Sequence, residues 1–231
     1  MLIAAVVKTI GGFGAALIIA PLLSLVLGPQ TTVPLISIHD VIVGGLLVWR
    51  VRGWIRPKEI LPLLLGALIV VPVGTWILAV LDPEIMKRLI GGLVVLMSIP
   101  LALGLKHTFR RERLSGFLIG ALSGLLGGST GMSGPPVIFF FHVRDLGKEA
   151  FRANLIFYFL VLYLVHIISL LANGLITRRV LTLSPVIIPV ILIAVPLGNW
   201  IFPRLKEDVF RKAVVVFLVL IGVYAVISTY I

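Results

Sequence analysis

Ionisable and hydroxyl side chains stand at positions where this chain is otherwise almost wholly apolar. Lys8, His39 and Asp40 lie within hydrophobic runs, and Ser129, Thr130 and Ser133 lie within GGSTGMSGPP, residues 127–136. Arg152 and Asn154 open the run FRANLIFYF. A charge held inside hydrocarbon costs roughly 3 kcal/mol or more, so each such residue is a functional candidate by default. Cations and hydroxyls together suit an anion, and the Arg152 fork beside the Asn154 amide suits a tetrahedral oxyanion. His39 and Asp40 suit proton relay, because the carboxylate favours the protonated imidazole.

Each assignment has a plainer competitor. Lys8 stands near enough to the N-terminus to snorkel to an interface. The His39–Asp40 pair also fits a buried structural hydrogen bond. Small residues such as Ser129, Thr130, Gly131, Ser133 and Gly134 also serve close helix packing, and Arg152 also marks a membrane boundary. His142 and His166 read as structural, and Trp76 and Trp200 as packing or interface anchors. No His-Glu-x-x-His, Gly-x-x-x-x-Gly-Lys-Ser/Thr or nucleophile elbow is present, so no enzyme, metal or cofactor is expected.

The element that must position these groups is a break. Glycine costs about 1 kcal/mol and proline about 3 kcal/mol at a helix interior. The four glycines and two prolines of residues 127–136 therefore interrupt what would be a continuous span. In hydrocarbon such an interruption survives only when buried in protein or lining a wet cavity. Broken spans are where transporters hold substrate, using half-helix N-termini as anion sites. GGFG, Gly11–Gly14, makes a similar and shorter break in the first segment, offering Gly12 and Gly14 for close backbone approach.

The chain has 231 residues, 60% hydrophobic and 13% charged, with a mean hydropathy of +1.20. Soluble domains run near 45–50% apolar and about 25% charged, so this is a polytopic membrane protein. The formal charge of +11 sits in short loops and is assigned to the positive-inside rule, not to nucleic acid. The first stretch lacks a basic n-region and is expected to be a span, not a cleaved signal.

Eight hydrophobic segments are expected, at about 2–27, 32–49, 59–80, 86–105, 114–141, 150–172, 181–202 and 209–230. They form an all-α fold of two four-segment repeats, residues 1–105 and 114–231, joined by the basic loop 106–113. A shift of 124 residues lays VVPVGTWI on AVPLGNWI, matching Pro72, Gly74 and Trp76 to Pro196, Gly198 and Trp200. Segments 1 and 5 are the glycine-broken ones. Loops 2–3, 4–5 and 6–7 are basic, which places them and both termini in the cytoplasm; loops 5–6 and 7–8 spoil the pattern. Re-entrant glycine-broken segments would make the halves inverted and set loops 2–3 and 6–7 on opposite sides, against their charges; full crossing of all eight segments, with each break in mid-span, is favoured and makes the repeats parallel.

The order of these motifs resembles the sulfite exporter TauE/SafE family. The resemblance rests on the first glycine-rich break, on GLLGGSTGMSGPPVIFFF followed by LGKEAFRANLIFYF, and on the repeated Pro-x-Gly segments with their DPEIMKRL and KEDVFRKA sequels. It implies a multi-pass protein of a prokaryotic plasma membrane that moves sulfite, organosulfonates or other organic anions. The breaks, Arg152 and Asn154 are the implicated positions. Export by alternating access is the expected function, with Lys8 or Arg152 supplying charge and a homodimer possible. A passive anion channel, a proton- or sodium-coupled importer and a non-transporting scaffold are the competing readings. Intramembrane Lys8, His39 and Asp40 argue against the scaffold.

Overall fold

The computed structural model describes residues 2–86, 112–144, 146–206, 208–210, 212 and 216. Every element among them is helical: α1 (Leu2–Gly11), α2 (Ala15–Leu27), α3 (Pro29–Val51), α4 (Pro57–Val80), α5 (Glu112–Thr130), α6 (Gly134–Val143), α7 (Lys148–Ala172), α8 (Arg178–Leu183) and α9 (Ile187–Ile201), with short 3-10 turns after α3, α8 and α9. Among the described residues four stretches are long and apolar enough to cross a membrane: Pro29–Trp54, Pro57–Val80, Lys148–Ala172 and Arg178–Arg204. Segments 86–105 and 209–230 and the loop 106–111 lie almost wholly outside the described residues.

Both glycine-rich breaks are present. Gly12 (φ 80°) and Gly131 (φ 75°) sit in the left-handed region that L side chains avoid, which ends α1 and α5. Pro135 and Pro136 then fall in the first turn of α6, where a missing N–H costs least.

The second break does not continue across. Ser123 Oγ donates to the Ser133 carbonyl at 2.6 Å, and a Cβ at Gly116 would lie 3.4 Å from the Phe140 ring. In a straight helix Gly116 and Phe140 would stand about 36 Å apart at 1.5 Å per residue. α6 therefore returns alongside α5, making a re-entrant hairpin whose turn is residues 131–133. This replaces the expectation of a mid-span break with full crossing.

The hairpin packs on α4 through glycine. Gly116, Gly120, Gly124 and Gly128 recur at every fourth residue, a small-residue stripe along one face of α5. A Cβ at Gly120 would lie 2.0 Å from Leu63 O, at Gly124 2.4 Å from Ala67 O, and at Gly128 2.4 Å from Val71 O. From the α4 side, a Cβ at Gly66 would lie 2.0 Å from Phe117 O and at Gly74 2.4 Å from Leu125 O. Residue numbers rise together along the seam, so α4 and α5 run parallel in backbone contact.

α3 and α7 instead run antiparallel. Gly44 meets Leu160, while Ser37 Oγ meets His166 Nδ1 at 3.0 Å. The Arg56 N–H, just past α3, donates to Asn154 Oδ1 at 2.8 Å.

These directions sort the loops. Lys58, Arg113 and Arg144 line one cavity, Arg144 is ion-paired to Glu59, and Lys148 Nζ donates to Leu205 O. The connections 2–3 and 5–6, the start of segment 5 and the connection after α9 thus gather at one end of the bundle. At the other end Gln30 Nε2, on the first turn of α3, reaches Leu78 O and Leu81 O at the close of α4. The far end also receives Arg178 and Arg179, which follow α7 after its full length.

Candidate functional site

The first break organises a buried charge cluster. Lys8, in the last turn of α1, is 2% exposed, and its Nζ stands 2.9 Å from Asp40 Oδ2 on α3. The other carboxylate oxygen, Oδ1, lies 3.1 Å from His39 Nδ1. Lys8 Nζ also lies 4.4 Å from the centroid of the Phe159 ring of α7, whose negative face adds to the stabilisation. Lys8 does not snorkel; it is neutralised by Asp40 where α1, α3 and α7 converge.

The carboxylate accepts from His39 Nδ1, so a neutral His39 carries its lone pair on Nε2. That nitrogen is buried and has no hydrogen-bond partner among the described residues. A proton arriving at Nε2 raises the net charge of the Lys8–Asp40–His39 group from zero to +1.

Arg152 braces the same break from α7. Its Nε donates to Thr9 O at 2.9 Å, its Nη2 donates to Asn199 Oδ1 at 2.7 Å, and its guanidinium covers the Phe202 ring at 4.3 Å. Arg152 is only 6% exposed. Gly12 is required here on two counts: its φ of 80°, and the Arg152 carbonyl, which would lie 2.8 Å from a Cβ. At the start of α2, Gly14 takes a φ of 102° and supplies no side-chain cap. The N–H groups of buried Ala15 and Ala16 open that helix with its positive end inward.

Arg152 and Asn154 are not brought onto one ligand. Two residues apart on a helix, they point to different faces, and Asn154 Oδ1 takes the Arg56 N–H instead. The Asn154 Nδ2 group is buried without a partner among the described residues.

The second break is built from hydroxyls that mostly serve the backbone. Ser129 Oγ donates to Leu125 O and Thr130 Oγ1 to Leu126 O, both at 2.7 Å. Thr130 Oγ1 also accepts the Met132 N–H at 3.2 Å, closing the turn. Hydroxyl hydrogens committed this way are not offered to an anion in this conformation. Ser133 Oγ meets Tyr163 OH at 3.0 Å, and Tyr163 OH donates to Gly131 O at 2.6 Å. Tyr158 OH donates to Ser123 Oγ at 2.8 Å. Gly131 packs on Val33 and Ile36 of α3, and Gly134 approaches Leu17 of α2, which links the two breaks.

Tyr158, Tyr163, Thr9 and Asn199 were not singled out by sequence reasoning. The signal for the tyrosines was spacing: five residues apart on one long apolar helix, each needs a hydrogen-bond partner if buried. No three-residue cluster of His, Cys, Asp and Glu suited to a metal occurs among the described residues.

A curated relative from Cupriavidus necator, described as a probable sulfite/organosulfonate exporter TauE, is 28% identical over 224 residues, covering 94% of this chain and 87% of the relative. No solved structure matches the chain. The broken helices, the buried charges and the long apolar spans accord with a family model that matches residues 1–225, and the chain belongs to the sulfite exporter TauE/SafE family.

Proposed function

We propose that this chain exports sulfite or a small organosulfonate across the membrane by alternating access, its two halves being inverted copies of one plan. The observation that carries the reading is the set of buried charges around the first break. Lys8, Asp40 and Arg152 are the charged side chains buried among the described residues, and with neutral histidines they sum to a single positive charge. One net cation beside the uncapped α2 N-terminus favours one small anion over a neutral solute. The family membership and the description of the C. necator relative supply the substrate class.

Inversion is supported by the antiparallel course of α3 and α7, the second helical segments of the two halves. A matching hairpin in the first half would start the chain at the end opposite the basic loops. The basic end is assigned to the cytoplasm. With the interior negative, outward movement of an anion is downhill by about 2.3 kcal/mol per charge per 100 mV, so export needs no coupling ion.

The uncommitted Nε2 of His39 favours one second reading, a proton-coupled mode in which protonation adds charge to the anion site. The experiment that separates these readings is flux through proteoliposomes loaded with sulfite, sulfoacetate, taurine or acetate under an imposed potential. Saturable efflux of sulfite or an organosulfonate, driven by potential alone, supports uncoupled export. Flux that requires a pH gradient assigns the proton-coupled mode, and ohmic conductance without saturation rejects both.

A further inference from the structure

At the basic end, the N-terminal turns of α4 and α5 and the end of α6 enclose a half-open cavity of about 690 Å³ that shares no lining residue with the Lys8–Asp40 cluster. The volume lies within the roughly 300–1,000 Å³ range of small-molecule sites. Its polar wall holds Lys58, Arg113 and Arg144, against one carboxylate, Glu59, which is ion-paired to Arg144. Burial lowers the proton affinity of the Arg144 guanidinium below the ordinary arginine value, although arginine stays charged in proteins.

The rest of the wall is apolar and leads outward. Leu61 and Leu65 of α4 line the cavity and are still 57% and 50% exposed. On the neighbouring helix Leu114 and Leu118, outside the cavity lining, are 50% and 57% exposed. A soluble anion would use the cations and leave this wall bare. A ligand with an anionic head and a hydrocarbon tail satisfies both walls.

We propose that this cavity is a binding site for an anionic phospholipid of the cytoplasmic leaflet, its phosphate held by Lys58 and Arg113 and its acyl chain laid over Leu61 and Leu65. Basic pockets between membrane helices on the cytoplasmic side take such headgroups. The site touches α4, α5 and the end of α6 together, so an occupant ties the hairpin to the helix it packs against.

The test is lipid retention. The full chain is reconstituted in vesicles of equal parts phosphatidylglycerol and phosphatidylethanolamine, extracted in detergent, and its bound lipid counted by native mass spectrometry. The wild type is expected to keep phosphatidylglycerol in several-fold preference. Lys58→Gln/Arg113→Gln is expected to lose the preference, whereas Arg178→Gln/Arg179→Gln, an equal charge loss at the other end, keeps it. All four side chains are exposed, so neither variant threatens folding. Preference surviving in the first variant, or lost equally in both, overturns the proposal. Thermal stabilisation by inorganic phosphate alone, abolished by the first variant and without lipid preference, assigns the cavity to a soluble anion and also overturns it. None of these outcomes bears on whether sulfite is exported.

Discussion

Gly28 and Gly147, about 120 residues apart, hold the same backbone conformation, φ 79° and ψ 153° against φ 75° and ψ 151°, each as the N-cap of a long helix. Gly12 and Gly131 repeat the relationship, each donating its N–H to the carbonyl four residues back, Lys8 O at 2.8 Å and Gly127 O at 3.0 Å. Gly198 approaches Thr9 of α1 as Gly74 approaches Gly128 of α5. Glycines in matching roles at matching intervals support two halves built on one plan.

That plan makes a topology prediction. The chain has no cysteine, so single introduced thiols report cleanly on sidedness. Lys58→Cys, Arg113→Cys and Arg144→Cys should label from one side of sealed vesicles, and Arg178→Cys and Leu2→Cys from the other. Labelling of Arg113→Cys and Arg144→Cys from opposite sides would remove the hairpin.

Removing one member of a buried ion pair strands the other, at a cost of about 3–5 kcal/mol. Lys8→Met should therefore unfold at markedly lower temperature than wild type, and Lys8→Met/Asp40→Leu should regain most of the loss. Anion flux should stay absent in the double variant. Flux restored together with stability would make the pair structural only.

The sequence located both breaks, because glycine and proline identify where a helix ends whatever surrounds it. It did not reveal which way the chain turns afterwards; that is decided by Ser123, Tyr158 and the packing on α4, all long-range. The loop charges carried an unread clue. Connections 5–6 and 7–8 spoil the charge pattern only if segment 5 crosses; with a hairpin both join the basic end, and Arg178–Arg179 becomes the exception. Lys8 and Asp40 were legible as costly charges, but their mutual pairing spans 32 positions and needed the fold. The four-residue glycine spacing from Gly116 to Gly128 is visible in the sequence but was not read there as a packing face. The hydroxyls of Ser129 and Thr130 were legible as polar groups, and only geometry showed them bonded to their own helix.

The glycine seam predicts opposite outcomes for one kind of substitution. Gly120→Ala would press a methyl group into Leu63 O and should cost about 1–3 kcal/mol or more. Gly45→Ala, where nothing lies within 4 Å of the added atom, should stabilise by about 0.5–1 kcal/mol through reduced backbone freedom. Thermal unfolding of the two purified variants checks both signs, and equal behaviour would remove the seam.

Arg152 grips Thr9 O and Asn199 Oδ1 with two different nitrogens, which one ammonium does not reproduce. Arg152→Lys should keep the charge and lose the brace on α1. A saturating anion at about 100 times its dissociation constant stabilises a protein by about 2.7 kcal/mol. That gain, read as a thermal shift with sulfite or sulfoacetate, should shrink in Arg152→Lys. An undiminished shift would separate Arg152 from anion binding.

The proton-coupled reading concerns His39 Nε2. In that reading anion flux in the wild type follows an imposed pH gradient, and the pH profile of flux reports the coupling. His39→Gln and Asp40→Asn should flatten that profile. A profile unchanged in both variants would dismiss the histidine as a proton carrier.

The backbone contact between α4 and α5 constrains what can move. Helices that touch carbonyl to Cα slide or separate only by opening a void that no side chain can fill, so α4 and α5 travel as one piece. Yet α4 belongs to the first half of the chain and α5 to the second. Any rocking motion must therefore divide the molecule across its sequence halves and not between them, each mobile block carrying a helix borrowed from the other half.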